Sequence, residues 1–384
     1  MNICFICNEY PPAPHGGIGS MTQLVGRALV QRGHRVRVVG GYSQSEREAV
    51  ETDAGVEVYR LRIPPRRFGW IAFRYRLFNT VARWARSGSI DLVEVPDYQG
   101  WVAGWRRLPV PVVGRLHGSG TYFSAEMGWK LDRLGFQLER ASLRRCDFLG
   151  STSRYTAERT QHLFKLKSAV DAVLYNPVEV PESEVHGMRS RNRVVFTGTL
   201  NSKKGVISLI RAWPGVKRAC PDSELHFFGK DTTVEGGGSM TAYLTSQLNG
   251  ERSSVHFHGH TSREQLLESL KFPRVAVFPS YAEAFAMAPL EAMAHGCPTI
   301  YSKRGSAPEL IEDERDGLLV DPDRPEEIAA AIIRVLKDDE LAKHLGQAGR
   351  RRVAEAFSAP LVLDRNEAFY RSCIRQFRQR SLAR

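Results

Sequence analysis

No apolar run in the chain approaches the roughly 20 residues that span a bilayer. Its 384 residues hold six scattered cysteines, too irregular for a disulfide framework. Cys4 and Cys7 form a CxxC, but no second pair stands at zinc spacing, and both fit a buried first strand. Met1–Glu9 is too short an apolar stretch for a secretory leader. These absences lead us to expect a cytosolic, reduced chain. There is no GxGxxG, and no acidic residue closes the second expected strand, which argues against a nicotinamide dinucleotide fold. No recognisable nucleic-acid module appears, so no nucleic-acid partner is expected.

Acid is missing from one long stretch. Arg60 to Gly88 carries eight arginines and no carboxylate, interleaved with Phe68, Trp70, Ile71, Phe73, Tyr75, Leu77, Phe78, Val81 and Trp84. Ile71 to Arg86 is expected to be helical. Such a helix can lie on an anionic membrane surface. It can equally pack its aromatic face on a core, with its arginines solvated or snorkelling. The chain as a whole carries a formal charge of +12, which favours phosphorylated or anionic partners.

The length suits two domains. Asn2–Cys7 reads as a buried first strand, followed by the Pro- and Gly-rich loop NEYPPAPHGGIGS and a helix from Met21 to Arg32 with Leu24, Val25, Ala28 and Leu29 on one face. Gly16, Gly17 and Gly19 thus lie between strand and helix, either as a phosphate cradle or as a tight turn without ligand. Strands at Leu92–Val95 and Val110–Leu116 follow. His117 sits at the carboxyl end of the latter, and Arg115 two residues earlier should share its side of the strand. His117 can be a ligand contact or a structural residue; Arg115 is a candidate for an anionic acceptor group. Phe148–Ser151 leads into a Ser/Thr-capped helix start. The polar stretch Pro181–Arg193 is expected to separate the domains.

The most informative stretch is Val275–Ser302, VAVFPSYAEAFAMAPLEAMAHGCPTIYS. Val275–Phe278 reads as a strand. Pro289 suits the first position of a helix, and Glu291 would then fall in its first turn. Gly296 ends that helix and Pro298 prevents its resumption. Thr299–Tyr301 is the next parallel strand. The loop Tyr281–Ala288 would lie at the carboxyl end of a parallel strand, where open α/β sheets bind ligands. Glu283 and Glu291, eight positions apart, could accept paired hydrogen bonds from vicinal hydroxyls, or simply be solvated.

This stretch resembles the E-x7-E motif of the retaining nucleotide-sugar glycosyltransferases of family four, which have the GT-B fold. The following RGSAPELIEDERDGLLVDP (Arg304–Pro322) is similar to that family's next segment, and the loop at Gly16-Gly17 resembles its PP…GGxG loop. GTLNSKKG (Gly198–Gly205) resembles its G-R-x4-K-G element, with Lys204 in the lysine position but Thr199 in place of the arginine. Lys203 and Lys230 are candidates for the missing cation.

The resemblance implies an α/β chain of GT-B type, with two Rossmann-like doubly wound domains facing across a cleft. Residues 1–180 would form the acceptor domain, 181–360 the donor domain, and 361–384 a basic helix returning to the first. It implies transfer of a sugar from a nucleoside diphosphate, UDP foremost, to a glycan or lipid-linked acceptor, with retention and without metal or other cofactor. His117 and Glu283 would contact the reacting sugar. Gly16, Gly17, Gly198, Thr199, Lys204, His260, Phe285, Ala286, Met287 and Glu291 would bind the donor, with Glu291 on the ribose hydroxyls. The place of action would be the cytoplasm, with peripheral attachment at the inner face of the membrane as the further expectation. Two alternatives stay open: a GT-B nucleotide-sugar epimerase, and a membrane-binding protein with a degenerate donor site.

Overall fold

The computed structural model describes the chain except residues 15, 43–48, 66–68, 183–189, 235, 249 and 384. Arg66, Arg67 and Phe68 of the arginine-rich stretch, and most of the expected linker, therefore lie outside the described residues. The chain divides into two compact units: Met1–Pro177 with Pro360–Arg384, and Val178–Ala359.

In the first unit, β1 (Asn2–Ile6), α1 (Gly17–Gln31) and β2 (Arg35–Tyr42) make the opening βαβ turn. A hairpin of β3 (Ala49–Asp53) and β4 (Val56–Arg62) supplies the antiparallel edge, and α2 (Gly69–Arg86) follows. The sheet continues through β5 (Leu92–Pro96), β6 (Val112–Leu116), β7 (Phe148–Ser151) and β8 (Ala172–Val173). Its strand order is β3-β4-β2-β1-β5-β6-β7-β8, parallel from β4 onward. Three helices, α3 (Gly120–Met127), α4 (Arg133–Arg145) and α5 (Arg154–Phe164), occupy the last crossovers.

Strands buried on both faces read as apolar runs, as β1 does, while β5 and β6 are equally buried but carry one charge each, Glu94 and Arg115. Helix α2 buries one part of the arginine-rich stretch and exposes another. Phe73, Leu77 and Val81, at four-residue spacing, are buried in the core beside Trp101 and Trp105. Trp70, Ile71 and Tyr75 point outward, Tyr75 at 70 % exposure.

The second unit repeats the pattern with β9 (Arg193–Thr197), α6 (Val206–Ala219), β10 (Glu224–Phe228), α7 (Met240–Ser246), β11 (Val255–Phe257), α8 (Arg263–Ser269), β12 (Val275–Phe278), α9 (Met287–Ala294), β13 (Thr299–Ser302), α10 (Ala307–Leu310) and β14 (Leu318–Val320). The sheet order β11-β10-β9-β12-β13-β14 is parallel throughout. Helices α11 (Pro325–Lys337) and α12 (Asp339–Ala356) finish this unit. Helix α13 (Ala359–Leu382) then belongs almost wholly to the first unit, where Arg32 pairs with Asp364 and Glu367.

Three expected boundaries move. Helix α1 starts at Gly17, four residues before Met21, so the glycines form its amino end rather than a free loop. Helix α9 starts at Met287, so Pro289 is its third residue and Glu291 lies beyond the first turn. A proline is tolerated anywhere in the first turn, because those N–H groups have no intrahelical acceptor. The run VHFHGH (Val255–His260) reads in sequence as one strand, but β11 stops at Phe257.

Candidate functional site

The second unit builds its site where β12 passes into α9. The connection is rich in short side chains: Ala282, Ala284 and Ala286 are buried, and Ala286 is the N-cap, which makes no side-chain capping hydrogen bond. Small residues leave the amino end of α9 approachable by a ligand. Phe285 fastens the loop from below, its ring 6.0 Å from that of Phe357. The loop's single charged side chain is Glu283.

A second loop is bolted onto this one. Residues 202–204 form one turn of 3₁₀ helix, capped by Asn201, whose side chain accepts from the Lys204 N–H. Gly205 then takes φ +71°, and a Cβ there would stand 1.8 Å from the Pro279 carbonyl oxygen, so only glycine fits. The Tyr281 N–H donates to the Lys203 carbonyl at 2.7 Å. With the backbones in register, the Lys204 ammonium forms an ion pair with Glu283. Burial pushes the Glu283 carboxyl up, but Lys204 and then Lys203 outweigh it and hold the group below its ordinary range. Burial lowers the Lys203 ammonium, against the pull of Glu283. Glu291, on α9, is 7 % exposed, and its backbone carbonyl accepts from His295 Nδ1.

The carboxyl ends of the neighbouring strands carry a feature that sequence reasoning passed over. β9, β10 and β11 are each followed at once, or one residue later, by glycine: Gly198, Gly229 and Gly259. The Gly198 N–H donates to the Phe228 carbonyl and the Gly229 N–H to the Gly259 carbonyl, both at 2.8 Å. A Cβ at Gly229 would meet the Gly198 oxygen at 1.9 Å. The repeated aromatic-x-Gly or aromatic-Gly at strand ends (FTG, FFG, FHG) was the available signal. Thr199 is exposed beside this turn, and Leu200 pairs with Lys230 and Asp231, which brings Lys230 alongside the position where the resemblance expects arginine. His260 is exposed just beyond the glycines.

In the first unit, Gly16 caps α1 and Gly17 is its first residue. The Glu9 carboxylate lies at this helix end and accepts from the Gly19 N–H at 2.8 Å. His117 follows β6 directly, half-buried, with its N–H donating to Asp97 Oδ1 at 2.9 Å. Burial, and then Arg115, push the His117 imidazole down to about 3, so it is neutral at physiological pH. Asp97 is buried, and burial pushes its carboxyl up to about 7. Neither its carboxylate nor Glu139 was anticipated. Glu139, also buried, accepts from the N–H groups of Gly120 and Thr121 and from the Thr121 hydroxyl, so the amino end of α3 is already capped by a carboxylate.

Arg115 is a correction. Its side chain is 3 % exposed and fully committed: to both oxygens of Glu94, to Asn366 and Tyr370 of α13, and to the Leu174 carbonyl. Asn366 and Tyr370 of α13 cover this side of β6 at Arg115, so the guanidinium is closed off from an acceptor. It neutralises a buried carboxylate rather than meeting an acceptor.

Both halves of the chain match known family profiles. The profile described as Glycosyl transferases group 1 matches residues 182–352, and that described as Glycosyltransferase Family 4 matches residues 15–181. The chain belongs to the group 1 glycosyltransferases. It is 26 % identical over 408 residues to a glycogen synthase of Mycobacterium tuberculosis, an alignment covering 99 % of this chain and 96 % of that one. Among solved structures it resembles a sucrose-phosphate synthase from Thermosynechococcus elongatus (TM-score 0.80, 22 % identity, 97 % and 98 % of the two chains). It also resembles the Anabaena HepE protein in complex with UDP and glucose (TM-score 0.74, 18 % identity, 97 % and 100 %). These likenesses identify a GT-B glycosyltransferase fold.

Proposed function

We propose that the chain transfers a sugar from a UDP-sugar to a hydroxyl of a glycan or lipid-linked acceptor, with retention at the anomeric carbon and without a metal. The observation that carries this is the Lys204–Glu283 pair at the uncapped amino end of α9, inside the segment matched by the group 1 profile. The donor diphosphate would take Lys204, releasing Glu283 to accept from sugar hydroxyls. Backbone groups of Phe285, Ala286 and Met287 would hold the same sugar, and Glu291 the ribose diol. Gly198 and Thr199 would border the diphosphate, with Lys203 or Lys230 supplying the second cation, and His260 the nucleobase. By family resemblance, Gly16, Gly17 and His117 of the first unit are donor contacts, and a neutral imidazole suits a hydroxyl partner.

Charge growing on the departing diphosphate would be stabilised by donors fixed before reaction, each worth roughly 10²–10³ in rate on the scale of one oxyanion-hole group. Retention with no protein nucleophile in the motif supports a front-face route. There the acceptor oxygen bonds the anomeric carbon as the phosphate oxygen leaves, and the acceptor proton passes to that phosphate. HepE, similar in fold, is held with UDP and glucose, which supports the choice of nucleotide.

A lipid-linked acceptor is favoured by α2. Trp70, Ile71 and Tyr75 are exposed on the same helix as the exposed Arg76, Arg83 and Arg86, an apolar–cationic surface of the kind that sits at anionic headgroups. No helix among the described residues is long and apolar enough to cross a membrane.

Calorimetric titration with UDP, GDP, ADP and dTDP in the absence of divalent cations tests the donor reading. UDP should bind, and Glu291→Ala should lose it. Binding of none of the four would overturn the assignment. Product formation from a UDP-sugar without any acceptor would instead identify an epimerase.

A further inference from the structure

A cluster of imidazoles lies on the edge pair of the second sheet, in side chains the transferase reading does not use. β10 and β11 run parallel with His226 opposite His256. Alternation along a strand places Glu224 on the same face as His226. One ligand atom each of Glu224, His226 and His256 lies within 4.8 Å of the others. The His226 and His256 rings are 4.7 Å apart, and His226 is 8 % exposed. His226 Nε2 stands 3.3 Å from Glu224 Oε2, and its Nδ1 stands 3.0 Å from His258 Nε2.

We propose that Glu224, His226 and His256 bind a transition-metal dication of the zinc class, with His258 as the outer partner that orients His226. Two imidazoles and a carboxylate are a donor set that zinc accepts, leaving a coordination position for water. Zn–N and Zn–O bonds of about 2.0–2.2 Å at a tetrahedral angle put ligand atoms roughly 3.3–3.5 Å apart. The half-exposed Glu224 and His256 must therefore turn inward by about an ångström, which surface side chains can do.

The His226 tautomer gives the site its logic. Without metal, Nε2–H donates to Glu224 and Nδ1 accepts from His258. With metal, Nε2 offers its lone pair, the proton sits on Nδ1, and Nδ1–H donates to His258 Nε2, as metal-bound imidazoles generally donate to an outer acceptor. Arg193 stands opposite Glu224 in the neighbouring strand and opposes cation binding, which keeps the affinity moderate. The bound ion would fasten the edge strand β11 to β10, independently of the donor loops.

The test uses the untagged full chain, stripped with EDTA and desalted. Titration with ZnCl2 should show one equivalent bound and a raised unfolding temperature, whereas MgCl2, an oxygen-seeking ion, should do neither. Zinc affinity should fall at least about tenfold in His256→Ala and in Glu224→Gln, and stay unchanged in Glu291→Ala. Long-range ¹H–¹⁵N spectra should show the His226 proton moving to Nδ1 on zinc addition. Absence of zinc binding, or undiminished binding in the Glu224→Gln/His256→Ala double variant, would overturn the proposal. Because Glu291→Ala disables the donor reading alone, failure of one leaves the other standing.

Discussion

Lys204 and Glu283, 79 positions apart in sequence, form an ion pair in which the lysine outweighs the effect of burial on the carboxylate. Two backbone devices hold it, the glycine at 205 and the Tyr281 N–H bond to the Lys203 carbonyl. Lys204→Ala should therefore do more than remove a phosphate contact. Burial would then push Glu283 up, so the acid limb of the kcat/KM profile should move to higher pH while kcat/KM falls by about 10²-fold. An unshifted acid limb would show that the pair does not set the Glu283 charge.

Gly205→Ala tests the geometry without touching a charge. Its Cβ would collide with the Pro279 carbonyl in a backbone conformation that alanine disfavours. The lysine loop must then part from the β12–α9 loop. UDP affinity should drop at least about tenfold, a change of about 1.4 kcal/mol, by calorimetry. Retained affinity would mean that the two loops act separately.

Arg115→Met should destabilise the first unit by about 3–5 kcal/mol, because Glu94 and its partners would be left as an uncompensated buried charge. The double variant Arg115→Met/Glu94→Leu should recover much of that loss. Denaturant midpoints measure both. A mild single-variant effect would show that the network is solvated.

Asp97 and His117 give opposing pH dependences. Asp97 is raised to about 7, so between pH 4 and 7 the folded state holds a proton that the unfolded state has lost, and stability falls as pH rises. His117 is depressed to about 3, so from pH 3 to its ordinary value near 6.5 the unfolded state binds the extra proton, and stability rises with pH. The two nearly cancel between pH 4 and 6.5. Asp97→Asn should unmask the His117 slope, so the variant gains on the parent chain as pH rises, by up to about 1.4 kcal/mol per pH unit. Equal slopes in the two chains, measured by unfolding at a series of pH values, would refute the assignment.

The exposed face of α2 predicts vesicle binding. Trp70→Ala/Tyr75→Ala should weaken co-sedimentation with phosphatidylglycerol vesicles several-fold and leave UDP affinity unchanged. Equal sedimentation of variant and parent chain would remove the lipid surface from the proposal.

Sequence by itself determined the alternation of strands and helices, because parallel strands buried on both faces read as apolar runs broken by glycine and proline. β12 and β13 stand out in this way, with Gly296 at φ +68° between them. It also placed Glu283 and Lys204 beside strand ends, through local motif spacing. It missed α3, α4 and α8, whose polar faces hide their period, and it misplaced the starts of α1 and α9 because glycine and proline both tolerate the first helical turn. Only tertiary structure decided what the charges do. Arg115 looks like His117 in sequence, yet Glu94 and Tyr370 claim it. Glu224, His226 and His256 lie up to 32 positions apart and become neighbours solely through strand register. Burial and long-range pairing set the charge of such groups, and neither is a property of nearby residues.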